Sequence, residues 1–301
     1  MIRLATFNLF WFPETKEPAF NERGPDAHEQ IARVVTRLDA DAIVFEEMLD
    51  RDRLHQTLEL TGRPYEVVDT PDASGEFQRV MIAFDSSKLE LVETTTVFAR
   101  PRPWLALRLR TLDPAPRELW LVGGHLKSAN PLPGTEHDSD DQGKRRHACE
   151  SLAEWIDANH AAAPPIFVLG DFNMVPEHES FEPFATLDPP LSRVPHRVLD
   201  SLPEHGGEIV GEDERWSTLT DRVVIDHAFV SESAHAWLKS DAVVYAFDLD
   251  PFYDEAGASF FRVFPVPPLE LIPSGKSQEE EVIRMYNVSD HRPLRIEIEP
   301  A

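Results

Sequence analysis

Five stretches of this chain read as buried strands, and each ends on a polar side chain that an ordinary core would exclude. They are Asn8 in Ala-Thr-Phe-Asn-Leu, Glu47 in Ile-Val-Phe-Glu-Glu-Met, His125 in Gly-Gly-His-Leu-Lys-Ser, Asp171 with Asn173 in Gly-Asp-Phe-Asn, and Asp226 in Ile-Asp-His. A sixth group, Ser289-Asp290-His291-Arg292-Pro293, stands just before the last strand. Carboxylates at the ends of buried strands are costly unless they are paired or bound to a cation. Several of them on one rim therefore imply a cation. Oxygen ligands with few histidines and no thiolates select a hard ion, Mg2+ or Mn2+, over zinc.

Taken singly, the motifs are weak. Asn8 suits any strand end, Glu47 beside Glu46 could be an exposed acidic end, and His125 could be a satisfied core imidazole. Gly-Asp-Phe-Asn could be a turn and Asp290-His291 a surface pair. The information lies in their joint order along the chain.

Periodicity predicts the scaffold that carries them. A strand is expected over 2–9, a helix over 27–38 with Ile31, Val34, Val35 and Leu38 on one stripe, and a short buried strand over 41–48. Strand-like segments recur at 65–69, 79–84, 89–98, 104–111 and 118–125, broken by Pro, Gly and Asp turns in an antiparallel rhythm. A helix follows over 144–159, then strands over 166–171, 223–230 and 294–298. The stretch 246–287 is irregular, proline-rich and too aromatic for a solvated linker. With no internal repeat and no break in composition, one domain is expected over 1–301, with 246–287 as an insertion.

Composition sets outer limits. Hydrophobic residues make up 42% of the 301, enough for a full core, which excludes global disorder. The lone cysteine, Cys149, forbids an internal disulfide and any cysteine-cluster zinc site. No apolar run reaches the ~18 residues of a membrane helix. The opening apolar segment is interrupted by Thr6 and Asn8 and lacks a cleavage site, so a cytoplasmic monomer with no membrane span is expected. With 29 basic against 54 acidic residues the net charge is −25, which argues against a broad basic face for duplex nucleic acid but not against a local cleft. Only six of the basic residues are lysines, a balance that suits either a saline cytoplasm or plain solubility. Asp138 to Gly143 imitates a calcium loop, but Cys149 stands where the bidentate glutamate is needed. No Gly-x-Gly-x-x-Gly, no phosphate-binding Gly-x-x-x-x-Gly-Lys-Ser loop and no His-Glu-x-x-His motif occurs.

In their order, Asn8, Glu47, His125-Leu126-Lys127-Ser128, Gly170-Asp171-Phe172-Asn173, Ile225-Asp226-His227 and Ser289-Asp290-His291-Arg292-Pro293 resemble the signature of the endonuclease/exonuclease/phosphatase superfamily, which has the fold of pancreatic deoxyribonuclease. The resemblance implies an α+β fold: a four-layer α/β/β/α sandwich with two mixed β-sheets face to face, helices outside, and the site at the strand ends on one edge. It also implies metal-assisted, in-line attack of water on a phosphate ester. Glu47 would be the principal Mg2+ (or Mn2+) ligand, with Asn8 and Asp290 close by. His291 would be the general base, with Asp226 fixing its tautomer. Asp171 and Asn173 would orient the water or a second ion, and His125 would donate to the phosphate or the leaving oxygen.

Two departures from the family pattern stand out. Glu46 occupies a position where glutamine is common, and strand alternation should turn it away from Glu47. The segment 246–287 exceeds what minimal members need and is expected beside the site, where its aromatic rings would select substrate or form a satellite core. Arg79 and Lys127 are candidate substrate contacts, with an exposed edge-strand arginine the alternative for Arg79. The run Lys144-Arg145-Arg146 either touches a substrate backbone or is solvated. The leading expectation is a Mg2+-dependent phosphodiesterase, most simply a nuclease; the alternative is a phosphatase on a soluble or lipid phosphomonoester. A non-catalytic relative would show a broken constellation, and none of these motifs is broken.

Overall fold

The central strands of this chain are buried on both faces, so each sheet is covered on both sides. The computed structural model describes residues 1–13, 26–70, 78–99, 102–128, 139–159, 164–199, 224–239, 241–245, 261–263, 284–286, 289 and 291–300. In chain order the elements begin with β1 (Ile2–Phe12), α1 (Asp26–Leu38), β2 (Ala42–Met48), α2 (Arg51–Glu59) and β3 (Tyr65–Asp69). Next come β4 (Arg79–Asp85), β5 (Leu89–Val97), β6 (Trp104–Thr111), β7 (Glu118–His125), α3 (Ser139–Asn159) and β8 (Ile166–Asp171). After a 3₁₀ turn at Glu179–Phe181 follow α4 (Glu182–Ala185), β9 (Ser192–Arg193), β10 (His196–Leu199), β11 (Asp226–Val230) and α5 (Glu232–His235). The series closes with β12 (Ala242–Tyr245), β13 (Phe261–Val263), β14 (Arg284–Tyr286) and β15 (Leu294–Ile298).

One sheet has seven strands in the order β10-β12-β15-β1-β2-β4-β3, and the other has six in the order β5-β6-β7-β8-β11-β9. Both are mixed: β1 runs parallel to β2 and β7 parallel to β8, while β15 closes antiparallel on β1, pairing Ile298 with Ile2. The antiparallel rhythm expected between 65 and 125 is present, but it changes sheets between β4 and β5.

Three apolar clusters define the layers. Leu4, Val44 and Ile82 of the larger sheet meet Leu107, Leu121 and Leu169 of the smaller one in the inter-sheet core. The other face of the larger sheet, with Ala5, Phe7, Ile43 and Met81, is covered by Ile31, Val34 and Val35 of α1 and by Leu54 and Leu58 of α2. The other face of the smaller sheet, with Ala106, Val122 and Val168, is covered by Cys149, Leu152 and Ile156 of α3 and by Phe184 of α4. The order is helix, sheet, sheet, helix, as the resemblance implied. Burial pushes the Cys149 thiol well above its ordinary range, so it packs as a small apolar group.

Several elements differ from expectation. The helix α2 was not foreseen; Asp50 caps it, its Oδ1 accepting from the N–H groups of Asp52 and Arg53 at 2.9 and 3.0 Å. α3 starts at Ser139, five residues before 144, so the calcium-loop imitation is helical from Ser139 onward. Of 246–287, only β13 and β14 lie among the described residues, and they pair as an antiparallel ribbon. The aromatic rim expected around Phe260 otherwise lies outside the described residues. At the end of the sandwich away from the polar strand ends, Arg63 binds Asp41 at 2.6 Å and Asp85 at 2.7 Å, and Lys88 joins Asp41 at 2.6 Å. Among the described residues, no helix is long and apolar enough to cross a membrane.

Candidate active site

Strand parity decides which face each polar residue takes. Asn8 follows Leu4 and Thr6, His125 follows Leu119 and Leu121, Asp171 follows Phe167 and Leu169, and Asp226 precedes Ala228 and Val230. These apolar neighbours all belong to the inter-sheet core, so the polar residues emerge between the sheets at one edge. His125 and Asp171 are register partners across β7 and β8, and Asp171 and Asp226 are partners across β8 and β11. Two glycines allow that close approach. A Cβ on Gly170 would lie 1.9 Å from the Gly124 carbonyl oxygen, and one on Gly124 would enter the Trp104 ring.

Glu47 has the wrong parity. It follows Ile43 and Phe45, which face the helices. The chain corrects this with a break in the ladder: the β2 register shifts between Phe45 and Met48, and Glu47 itself takes a left-handed φ of 58°. Phe10 (φ 47°) and Asn173 (φ 52°) are left-handed too, so three of the four non-glycine residues with positive φ among those described border this site. Such conformations cost about 1–3 kcal/mol each and persist where the surroundings hold them.

The result is two clusters sharing one aspartate. Glu47, His125 and Asp171 each offer a ligand atom within 4.8 Å of the others, and so do Asp171, Asp226 and His291. His125 Nε2 lies 3.7 Å from Glu47 and 3.6 Å from Asp171. His291 Nδ1 is 2.9 Å from Asp226 Oδ2 and its Nε2 is 3.8 Å from Asp171 Oδ2. The His291 backbone N–H donates to Ser289 Oγ at 2.9 Å, and that hydroxyl donates to the Asn8 carbonyl at 2.5 Å, which ties the last loop to β1. Burial drives the His125 pKa well below its ordinary value, helped by Arg102, His291 and Lys127, so the imidazole is neutral. Burial raises the Asp171 pKa, with Asp226 and Glu47 adding to the rise and His291 opposing it. An acidic, sulfur-free donor set of this kind fits a hard divalent ion.

Glu46 does face away from Glu47 in the pleat, but this turns it into the molecule rather than out of it. It is fully buried on the inter-sheet face beneath the site, where Thr6 Oγ1 donates to its Oε1 and its Oε2 has no partner. Burial and the nearby Asp226 and Asp171 raise its pKa well above the usual carboxylate range.

The other expected site residues fall as follows. Asn8 bridges Glu47 and Asp171, its Nδ2 donating at 3.3 and 3.0 Å, while its Oδ1 accepts from the Phe10 N–H at 2.8 Å; in this arrangement it is a donor between carboxylates rather than an oxygen ligand. Asn173 braces the turn, its Nδ2 donating to the Leu126 carbonyl at 3.1 Å and its N–H to Asp171 Oδ1 at 2.9 Å. Lys127 stands half-buried near His125, with Nζ 3.3 Å from the Ser128 carbonyl. Asp290 lies outside the described residues. Arg79 shares the parity of Met81 and Ala83 on the helix side, where it pairs with Asp69 and the Leu49 carbonyl. The residue missed is its neighbour Gln78, in phase with Val80 and Ile82, whose Nε2 donates to Glu47 Oε2 at 2.7 Å. The basic run after it is spent within the protein: Lys144 pairs with Asp141, Arg146 with Glu150 and Glu182, and buried Arg145 holds the Lys127 carbonyl at 3.1 Å. His227, on the far side of β11 among Phe172, Phe181 and Phe229, donates to the Met174 carbonyl, and burial lowers its pKa to about 4.

The sequence profile of the endonuclease/exonuclease/phosphatase family matches residues 5–291. The chain belongs to that family. It is accordingly a hydrolase that cleaves phosphate esters, and its acidic and histidine clusters could hold a metal ion. Solved structures agree on the fold. A Bacteroides vulgatus endonuclease/exonuclease/phosphatase protein matches with a TM-score of 0.64 at 14% identity, covering 100% of this chain and 99% of that one. The human Nocturnin catalytic domain with bound sulfate matches at 0.59 and 15% identity, covering 99% and 94%. A mannosyl-6-phosphatase of Bacteroides thetaiotaomicron matches at 0.59 and 15% identity, covering 100% of both chains. No curated protein sequence matches this member of the family.

Proposed function

We propose that this protein is a Mg2+- or Mn2+-dependent phosphodiesterase, a nuclease in its simplest form, that cleaves by in-line attack of water on phosphorus. The observation that carries the reading is the pair of clusters joined at Asp171, one rich in carboxylate around Glu47 and one a histidine–aspartate couple. Glu47 and Asp171 would hold a hard divalent ion, with Asp290 a further ligand as the family resemblance implies, and the bound ion would supply Lewis acidity and charge neutralisation at the phosphate. Asp226 accepts from His291 Nδ1, which leaves Nε2 directed into the site with a lone pair for the proton of the attacking water. As the new P–O bond forms and the ester bond breaks, Asp226 stabilises the imidazolium. Neutral His125 donates its N–H to the phosphate or the leaving oxygen. Asn8 and Asn173 keep the two sides of the site in register.

Purified protein should hydrolyse bis-p-nitrophenyl phosphate and single-stranded or duplex nucleic acid in Mg2+ or Mn2+, and lose that activity in excess chelator. Glu47→Gln should weaken Mg2+ binding and raise the Mg2+ concentration needed for half-maximal rate by at least about 100-fold. Turnover confined to sugar or lipid phosphomonoesters would transfer the assignment to a phosphatase. Full activity in chelator would remove the ion from the mechanism.

A further inference from the structure

Glu47 is held from outside the metal-ligating clusters by a relay that spans both sheets. Gln78, just before β4, donates from Nε2 to Glu47 Oε2 at 2.7 Å. Its Oε1 accepts from the Arg102 guanidinium, and Arg102 Nη1 donates to the Leu126 carbonyl at 3.1 Å, beside the His125 turn. The same carbonyl accepts from Asn173 Nδ2 at 3.1 Å. A guanidinium has no acceptor, so Arg102 admits only the oxygen of the Gln78 amide on its side. The NH2 group is thereby turned towards the carboxylate.

The relay treats the two oxygens of Glu47 differently. Oε2 receives the short, charge-assisted hydrogen bond from Gln78. Oε1 faces the cluster, 3.3 Å from Asn8 Nδ2 and 3.7 Å from His125 Nε2. The amide also places the Arg102 charge one hydrogen bond away from the Glu47 carboxylate. An arginine bonded straight to Glu47 would compete with an incoming cation, whereas an arginine one amide away eases the repulsion and leaves the oxygen available. Given the metal-centre reading above, on which this rests, we propose that Gln78 and Arg102 are positioning residues that restrict Glu47 to one-oxygen ligation through Oε1 and so set the affinity of the site for its divalent ion.

Direct Mn2+ binding, followed by the electron paramagnetic resonance of free Mn2+, tests this without turnover. Gln78→Met is close in volume at a half-buried position and should leave the melting temperature near wild type while weakening Mn2+ binding about 10–100-fold. Arg102→Met frees the amide to rotate and should cost about fivefold. Wild-type Mn2+ affinity in a folded Gln78→Met protein, or in Arg102→Met should the first variant not fold, overturns the proposal. The control is Glu47→Gln. If it binds Mn2+ as the wild type does, the metal-centre reading itself fails; if it loses Mn2+ while Gln78→Met keeps it, only the relay is wrong.

Discussion

At the scale of single residues, Glu46 carries the sharpest pH consequence. It is protonated in the fold at pH values where the unfolded chain has it ionised, because burial raises its pKa, with Asp226 and Asp171 adding to the rise and Thr6 and His291 opposing it. The metal-free fold therefore loses stability as pH climbs from the ordinary carboxylate range towards that raised pKa. Glu46→Gln removes the slope. In chelator the variant should melt a few degrees above wild type at pH 8, a gain of about 1–3 kcal/mol, and converge with it near pH 4. Parallel melting curves across that range would show that Glu46 stays ionised inside the protein. His291 and Asp226 make the second residue-scale prediction. His291→Ala and Asp226→Asn should each lower single-turnover rates by about 10²–10⁴-fold, and the double variant should be little worse than either, since the two act as one unit. A double loss equal to the product of the singles would mean independent roles. Much of this site was legible because Asn8, His125, Asp171 and Asp226 sit in phase with apolar strand neighbours. Glu47 was legible only from its motif, since its parity is wrong and a left-handed residue in a bulge leaves no periodic trace. Gln78 is in phase with Val80 and Ile82, but a single neutral amide just before a strand carries no motif of its own.

At the scale of elements, long periodic segments were read within a few residues and short ones were not. The strands β3, β6, β7 and β15 match their expected ranges because apolar alternation over five or more residues fixes them. The strands β9, β10 and β12 have two to four residues, too few for a period to show, and they form through pairing with neighbours distant in sequence. The first turns of α3 carry no apolar stripe; contacts such as Lys144 with Asp141 at 3.1 Å and Gln142 with Glu179 accompany them. The helix α2 was missed although it has a cap and the buried pair Leu54 and Leu58 four apart, because nine residues give barely two turns of pattern. Its cap gives an element-scale prediction. Asp50→Ala should lower stability by about 1 kcal/mol in denaturant melts and leave the rate of ester cleavage unchanged. A rate loss matching the loss of stability would instead couple α2 to the bulge at Glu47.

At the scale of the whole molecule, a net charge of −25 sets self-repulsion against a few well-made ion pairs. Screening weakens both, but the repulsion is spread over the surface while Asp41 and Asp85 are buried with Arg63 against them. The melting midpoint should therefore rise between low and molar KCl, and a midpoint that falls would show that local pairs outweigh the global field. The six-stranded sheet supplies His125, Asp171 and Asp226, the seven-stranded sheet supplies Asn8 and Glu47, and His291 arrives on the approach to β15, which lies against β1. Along the chain these groups come in order, with Asn8 and His291 283 residues apart. Asp226 and His291 stand 65 residues apart, so a nascent chain that has made every other component still lacks its base over that interval. A copy cut short before His291 would lack both the antiparallel partner of β1 and the imidazole that Asp226 holds, so the edge that completes the sheet and the group that completes the site arrive together.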